Sequence, residues 1–268
     1  MSDIGKELVI VKLGGSAITY KDRPLTPRIE VIKGLASEIR KILDKGYKLI
    51  LVHGGGSFGH YVATLHGINR GDRSYRGYLE TRIAMLKLNE LICKNLMDTE
   101  VPVAPIHPSC IIVTESGIPR RVFIDPIKTA IEVGYVPVLH GDVVLDVNQR
   151  YSIISGDTII DLLTDYFPVD LVIFGMNVDG IYDRDPSDAK ARLLTRVNLS
   201  ELDYISGRIG RFDVTGGILS KLNVAKRLAR KKIEVVFLNI TRRGTLMNLL
   251  SGGEVIATRI LANESSIP

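Results

Sequence analysis

Basic side chains accompany three glycine-rich segments of this chain, and this combination is typical of sites that bind phosphate groups. The first segment follows an apolar run, Leu8–Leu13, which carries Lys12 near its end. A second apolar run is followed by His53–His60, which reads HGGGSFGH and ends in a histidine. The third segment, Asp213–Gly217, reads DVTGG and is followed four residues later by Lys221. Glycines let the backbone approach a ligand closely and turn several N–H groups toward one anion.

The lysine in the first apolar run predicts that an anion lies beside it. Burying an ammonium group without a partner is costly, so Lys12 needs either a structural carboxylate or a phosphate. One small anion would not need as many donors as this chain offers, whereas two phosphorylated ligands that meet head to head would. Phosphoryl transfer depends mainly on positioning and charge stabilisation, so this set indicates a phosphoryl-transfer enzyme. The candidate residues are Lys12 with Gly14–Ser16, Lys21, Gly54–Gly56 with His60, and Gly216–Lys221.

Other ligand-binding motifs fit the sequence poorly. Gly54, Gly56 and Gly59 have the spacing of a dinucleotide-binding loop, but no acidic residue closes a following strand about 20 positions later. No glycine loop ends in Gly-Lys-Ser or Gly-Lys-Thr, as a P-loop requires. The histidines lack metal-type spacing, and the two cysteines, Cys93 and Cys110, are too few for a disulfide framework or a zinc site. A nicotinamide dehydrogenase and a P-loop enzyme are therefore disfavoured.

The elements around these loops predict an α/β fold. Leu8–Leu13 and Leu49–Val52 are apolar enough to be buried strands, and an amphipathic helix lies between them. This strand–helix–strand order is a parallel βαβ unit, which places both glycine loops at the same edge of a sheet. Further along, the segment Ser155–Asp157 precedes another helix, and either Ser155 or Asp157 could be its N-cap. The sequence leaves open whether Asp157 caps this helix or takes part in catalysis.

Composition and charge limit the classes of partner. The 268 residues suffice for one large α/β domain or two modest lobes, and the net charge of +5 is a mild excess. Much of this excess lies in Lys226–Lys232, which has no interleaved aromatic residues and is typical of a solvated helix face. No apolar stretch reaches the roughly 18 residues of a membrane span, and the first residues do not resemble a signal peptide. We expect a cytoplasmic protein that binds neither nucleic acid nor membrane.

Four motifs occur in order along the chain: KLGGSAIT (Lys12–Thr19), HGGGSFGH (His53–His60), NVDGIYDRDP (Asn177–Pro186) and DVTGG followed by Lys221. Together they resemble the motifs of the amino acid kinase family, which includes acetylglutamate, carbamate, uridylate and aspartate kinases. The resemblance implies a three-layer αβα sandwich around a mainly parallel central sheet. It also implies a single domain over residues 1–268, with an acceptor-binding lobe at about 1–167 and an ATP-binding lobe at about 168–268.

Within this family, two short segments resemble the branch that phosphorylates isopentenyl phosphate. They are SFGH at Ser57–His60 and SGD at Ser155–Asp157. The resemblance implies in-line transfer of a phosphoryl group from ATP to isopentenyl phosphate, which yields isopentenyl diphosphate for isoprenoid biosynthesis. A fosfomycin kinase-like enzyme or another small phosphate or phosphonate kinase is the alternative. Outside enzymes, the alternative is a non-catalytic nucleotide sensor, which the presence of all three lysines and His60 disfavours.

The resemblance also assigns roles to residues at matching positions. It implies that Mg²⁺ arrives with ATP and is held by phosphate oxygens and water rather than directly by the protein. Family members commonly form homodimers through the acceptor lobe, so a homodimer is expected. The implied catalytic residues are Lys12, Lys21, His60 and Lys221. The implied ATP-binding residues are Lys12, Gly14, Gly15, Ser16, Gly56, Asp179, Gly217 and Lys221, and those that bind the acceptor phosphate are Gly55, His60 and Gly156.

A phosphate acceptor needs little help in losing a proton, because the second pKa of a phosphate monoester is about 6. The difficulty is repulsion between two anions, which lysines and hydrogen-bond donors would relieve. We therefore predict that His60 donates to the acceptor phosphate and is not a general base. An isopentenyl tail would need an apolar pocket, for which the helix Tyr78–Met97 and the pair Ile153–Ile154 are candidates.

Overall fold

The computed structural model describes residues 7–209 and 217–261. Within these residues the strands are β1 (Leu8–Leu13), β2 (Lys48–His53), β3 (Val103–Pro105), β4 (Ile112–Glu115), β5 (Ile118–Val122), β6 (Val136–His140), β7 (Asp142–Asp146), β8 (Arg150–Ile154), β9 (Leu171–Met176), β10 (Arg196–Asn198), β11 (Glu234–Asn239) and β12 (Ala257–Leu261). Eight of them form the central sheet, in the order β10-β12-β11-β9-β1-β2-β6-β3. Neighbouring strands are parallel except for β11 and β12.

Helices cover both faces of the central sheet. They are α1 (Gly15–Ile18), α2 (Ile29–Asp44), α3 (Gly56–Leu65), α4 (Tyr75–Met97), α5 (Pro108–Ile111), α6 (Asp125–Glu132), α7 (Gly156–Leu163), α8 (Leu199–Ile209), α9 (Gly217–Arg230) and α10 (Thr245–Leu250), with a 3₁₀ turn at Ile68–Arg70. Apolar residues of α2, α3, α4 and α10 pack on one face, and those of α6, α7, α8 and α9 pack on the other. The predicted three-layer αβα sandwich around a mainly parallel sheet is therefore confirmed.

The alternation of side chains along β1 decides what lies beside Lys12. Successive residues of a strand point to opposite faces. Val9 and Val11 enter the core formed with α2 and α4, whereas Ile10 enters the core formed with α7 and α9. By the same period Lys12 lies on the α7 and α9 face. Strand β1 thus carries a cation to two helix N-termini that are far away in the sequence.

The predicted βαβ unit is present, and its glycine loops share one edge of the sheet. Strands β1 and β2 pair in parallel, with Lys12 opposite Val52 and Leu13 opposite His53. Strand β9 pairs with β1 on its other side, so that Leu13 also lies opposite Gly175. The carboxyl ends of these neighbouring strands meet at one edge, where ligands of open α/β sheets bind.

A second sheet was not predicted from the sequence. It has four strands in the order β5-β4-β7-β8, and its β7–β8 hairpin leads directly into α7. Ile154 at the end of β8 is buried in the main core, whereas Ile153 is 45% exposed. Of the pair proposed for an apolar pocket, Ile154 is therefore a core residue and only Ile153 stays accessible. The boundary between two lobes near residue 168 remains a prediction.

Candidate active site

The two N-terminal glycine loops pack backbone against backbone at the edge of the sheet. The N–H of Gly14 donates to the carbonyl of Gly175 at 3.0 Å, and the N–H of Gly54 donates to that of Leu13 at 2.9 Å. A Cβ atom on Gly15 would overlap the backbone of Gly56, which itself has a positive φ of 48°. Side chains at these two positions would push the loops apart, so glycine is required for this close approach.

A buried carboxylate links two of the three predicted catalytic lysines. The Nζ atom of Lys12 forms an ion pair and hydrogen bond with Oδ1 of Asp157. The other carboxylate oxygen of Asp157 lies 3.7 Å from Nζ of Lys221, which also donates to the carbonyl of Gly217 at 2.8 Å. Lys12 and Asp157 are 4% and 5% exposed, respectively. The sequence indicated that Lys12 needs an anionic partner, and the structure identifies this partner as Asp157.

The sequence left the place of Asp157 undecided, and the structure puts its carboxylate between two predicted site lysines. The N-cap of α7 is Ser155, whose side chain accepts from the N–H of Thr158 at 3.0 Å. This leaves the carboxylate of Asp157 free to lie between Lys12 and Lys221. Lys12 lies 145 residues before Asp157 in the chain, and Lys221 lies 64 residues after it. The sequence offered two separate signals, a lysine in a buried strand and the distant Ser155–Asp157 segment, and only the packing of α7 on β1 brings them together.

The ammonium group of Lys12 is easier to deprotonate than that of an ordinary lysine. Burial lowers its pKa to about 8, against the opposite effect of the carboxylate of Asp157 and with a further lowering by the charge of Lys221. An ammonium group with one buried carboxylate beside it gains from a second anion, because each negative charge favours the protonated form. The site is therefore prepared for an anionic ligand at Lys12.

His60 lies in helix α3 and faces the same group of cations. Its side chain stays accessible to solvent, although the protein withdraws it in part from water. Partial desolvation, and then the charges of Lys221, Lys12 and Lys21, lower the pKa of His60 below its usual value. His60 is therefore a neutral imidazole near pH 7, with one N–H to donate. Lys21 reaches this region from the exposed turn between the bridged residues Thr19 and Pro27.

Three further predicted residues surround this group. Gly156, at the start of α7, lies so close to Lys12 that a Cβ atom would be 3.5 Å from its Cε atom. Gly55 precedes α3, and its N–H group donates no hydrogen bond to any of the described residues. The hydroxyl of Ser16 donates to the side-chain oxygen of Asn177 at 3.0 Å. Ser16 therefore connects the first glycine loop to the loop after β9.

Asp179 lies in the loop after β9 and is held by two groups that the sequence interpretation did not assign to a site. Its Oδ1 atom accepts from Asn239 at 2.9 Å, and its Oδ2 atom pairs with Arg242 at 2.7 Å. The carboxylate is thereby fixed at the carboxyl end of β11 and does not join the lysines around Asp157. Of the DVTGG motif, only Gly217 is described, as the first residue of α9, and residues 213–216 lie outside the described part of the chain.

Comparison with known proteins agrees with this arrangement. The model of the amino acid kinase family matches residues 7–239. The isopentenyl phosphate kinases of Methanothermobacter thermautotrophicus and Methanocaldococcus jannaschii are 36% and 34% identical to this chain; the matches cover 94% and 82% of this chain and 98% and 87% of those proteins. An X-ray structure of an isopentenyl phosphate kinase superimposes with a TM-score of 0.82 and 32% identity, covering 95% of this chain and all of that one. The chain belongs to the amino acid kinase family.

Proposed function

We propose that this protein transfers a phosphoryl group from ATP to isopentenyl phosphate and forms isopentenyl diphosphate. The observation that carries the proposal is the convergence of His60 with the charges of Lys12, Lys21 and Lys221 at one edge of the sheet. Two anions must meet for this reaction, and the cations offset their repulsion. The relatives named isopentenyl phosphate kinases, which align over most of this chain, support the choice of acceptor.

The proposed roles follow the position of each side chain. Lys12 and Lys221, held by Asp157, contact the transferring and leaving phosphate groups. Lys21 approaches the transferring phosphoryl group from the surface, because its turn is exposed. Gly55, Gly156 and His60 hold the acceptor phosphate. The residues proposed to line the nucleotide side are Gly14, Gly15, Ser16, Gly56, Asp179 and Gly217.

The acceptor phosphate attacks without a protein base in this proposal. An acceptor monoester is mostly dianionic near neutral pH, so its oxygen is already a competent nucleophile. Both oxygens of Asp157 face lysine ammonium groups, so this carboxylate is engaged with Lys12 and Lys221 rather than with the acceptor. The neutral imidazole of His60 donates a hydrogen bond to the acceptor. Catalysis then rests on alignment of the two ligands and on fixed positive charge.

Magnesium, oligomeric state and location complete the proposal. The described residues hold no group of three or more His, Cys, Asp or Glu side chains suited to a metal ion. We propose that phosphate oxygens of ATP and water are the ligands of Mg²⁺, which enters as part of the nucleotide substrate. No helix within the described residues is both long and apolar enough to cross a bilayer. We propose a cytoplasmic homodimer, which light scattering at several protein concentrations tests.

A panel of acceptors with ATP tests the proposed function. Release of ADP is measured with isopentenyl phosphate, dimethylallyl phosphate, fosfomycin, acetylglutamate, carbamate and UMP, each against a control without acceptor. The expected result is the highest kcat/KM with isopentenyl phosphate, with isopentenyl diphosphate identified by mass spectrometry. Preferred turnover of fosfomycin would overturn the choice of acceptor. Binding of ATP without release of ADP from any acceptor would favour the nucleotide sensor.

A further inference from the structure

A second histidine of the HGGGSFGH motif lies on the hidden side of the acceptor loop. His53 ends strand β2 and is fully buried, whereas His60 in the same motif is exposed. The Nδ1 atom of His53 lies 3.1 Å from the carbonyl oxygen of Gly54, and its Nε2 atom lies 3.1 Å from the side-chain oxygen of Asn89 on α4. His53 thus contacts the glycine loop on one side and helix α4 on the other.

The hydrogen-bond partners decide which nitrogen of His53 carries the proton. Burial, and then the neighbouring ring of His140, lower the pKa of His53 to about 3, so the ring is neutral and has a single N–H. The carbonyl of Gly54 can only accept, so Nδ1 must be the donor. Nε2 is then an acceptor, and the amide of Asn89 can meet it with its NH₂ group, because amide nitrogen and oxygen are interchangeable by rotation.

A histidine at the end of the neighbouring strand, β6, makes the same kind of contact with the glycine that follows it. His140 ends β6 opposite His53, and the two rings stack with 5.2 Å between their centroids. Nδ1 of His140 lies 2.9 Å from the carbonyl of Gly141, and Nε2 lies 3.2 Å from Nδ1 of His107. The N–H of Gly141 in turn donates to the carbonyl of His53 at 3.0 Å. Two buried imidazoles therefore each bond the carbonyl of the glycine that follows them.

The bond from His53 sets the orientation of the peptide unit that joins Gly54 to Gly55. In a planar trans peptide the C=O and the N–H point in opposite directions. The carbonyl of Gly54 is drawn inward by His53, so the N–H of Gly55 in the same peptide unit points outward. This is the N–H that finds no acceptor among the described residues, and it precedes the helix that carries His60. A free N–H beside a cationic site is suited to bind a phosphate oxygen.

We propose that His53 is a positioning residue for the acceptor phosphate: its Nδ1–H holds the carbonyl of Gly54 so that the N–H of Gly55 faces the phosphate. This inference rests on the proposed function, because it concerns the same acceptor site. Asn89 keeps the imidazole in this orientation and ties the loop to α4. His53 itself does not touch either substrate.

Two variants of equal polarity separate the two nitrogens of His53. The amide NH₂ of asparagine occupies the place of Nδ1, and that of glutamine occupies the place of Nε2. His53→Asn therefore keeps a donor for the carbonyl of Gly54, whereas His53→Gln keeps only the contact with Asn89. Both variants lose the ring stacked on His140, so this loss cancels in the comparison. Thermal unfolding and the KM for ATP report whether each variant keeps the fold and the nucleotide site.

The expected result is a difference in acceptor KM that the KM for ATP does not follow. His53→Gln should raise the KM for isopentenyl phosphate about tenfold, the loss expected for one hydrogen bond to a charged group, and His53→Asn by much less. Equal effects of the two variants, or a larger effect of His53→Asn, would overturn the inference. A parallel rise in both KM values would show a general structural role and would also overturn it.

A measurement on the unmodified protein keeps the inference testable if both variants fail to fold. Nitrogen-15 NMR of the histidine side chains should show His53 as the neutral Nδ1–H tautomer at pH 7. A dominant Nε2–H tautomer would overturn the proposed bond to Gly54. This experiment needs no substrate, so it judges His53 even if the protein fails to phosphorylate isopentenyl phosphate, which would be a failure of the proposed function alone.

Discussion

Positive charge reaches the candidate active site from two different regions of the molecule. Lys12 lies on the central strand β1 and is 4% exposed, with Asp157 bound to its ammonium group. Lys21 lies in an exposed turn before α2. The first charge is fixed by a strand, a helix and an ion pair, whereas the second depends on the conformation of a surface side chain. The same residue type therefore contributes fixed charge in one region and adjustable charge in the other.

The different surroundings of Lys12 and Lys21 indicate which lysine should contribute more to the chemical step. Charges that are already in place stabilise a transition state without reorganisation at the moment of reaction. An exposed ammonium group is screened by water and must lose side-chain entropy to reach a ligand. We therefore expect the buried Lys12 to have the larger effect on kcat and the exposed Lys21 to contribute a smaller part.

Removing the buried charge should have the largest effect. Lys12→Met keeps most of the apolar stem and should lower kcat about 10³-fold, the upper range for loss of one preorganised charge or donor. Lys21→Met, the matched change in the exposed turn, should lower kcat much less. The kcat of both variants is measured by steady-state kinetics with ATP and isopentenyl phosphate. Circular dichroism is the control for folding. Equal losses in the two variants would contradict the distinction between fixed and adjustable charge.

Removing the carboxylate between the lysines should have the next largest effect. Asp157→Asn keeps both Lys12 and Lys221 but removes the charge that positions them. Because misplacement of catalytic groups by about 1 Å costs about 100-fold in rate, kcat should fall by about that factor. The variant should also be less stable to urea, because breaking a buried ion pair costs about 3–5 kcal/mol. The carboxylate also raises the pKa of Lys12, so its loss makes this lysine less charged near neutral pH. The defect in kcat/KM should therefore be smaller at acidic pH than at alkaline pH, and an unchanged kcat would contradict the role of Asp157.

Replacing His60, which lies near the three lysines, should have an intermediate effect. His60→Ala removes the proposed donor and should lower kcat/KM for isopentenyl phosphate by about 10- to 100-fold, as expected for a hydrogen bond to a charged group. His60→Gln keeps a side-chain N–H in a similar place and should retain more activity. Equal collapse of both variants with the fold intact would contradict a donor role and would favour a proton-transfer role instead.

The sequence was sufficient for features that depend on local pattern. The apolar run around Lys12 and the one before His53 predicted two parallel strands, and their loops do meet at one edge. The need of Lys12 for an anionic partner also followed from the cost of burying its charge. These predictions use only side-chain periodicity and the energetics of one residue, so they do not require knowledge of distant contacts.

Features that depend on contacts between distant segments could not be predicted from the sequence. The sequence left open whether Asp157 caps α7 or takes part in catalysis. Only the structure shows that Ser155 is the cap and that Asp157 pairs with Lys12. His53 and His60 belong to one motif, yet the sequence does not tell which of them is buried. Strands β7 and β8 are short, and the hairpin that they form contributes to a second sheet rather than to the central one. In each case the deciding interaction joins segments that the local pattern treats separately.

A change of pH should have the smallest effect, and it tests whether the charge on the buried Lys12 is needed for the reaction. The pKa of Lys12 is lowered to about 8 by burial, so its ammonium group is charged below that pH and loses its charge as pH rises. One pH unit above the pKa leaves about one tenth of the lysine charged, so kcat/KM for ATP should fall about tenfold at that pH, because this parameter reports the free enzyme. Bound ATP favours the charged form, so kcat should stay constant to higher pH than kcat/KM. Lys12→Arg, which remains protonated, should lack this alkaline fall. A fall that persists in Lys12→Arg would show that Lys12 is not the group that titrates.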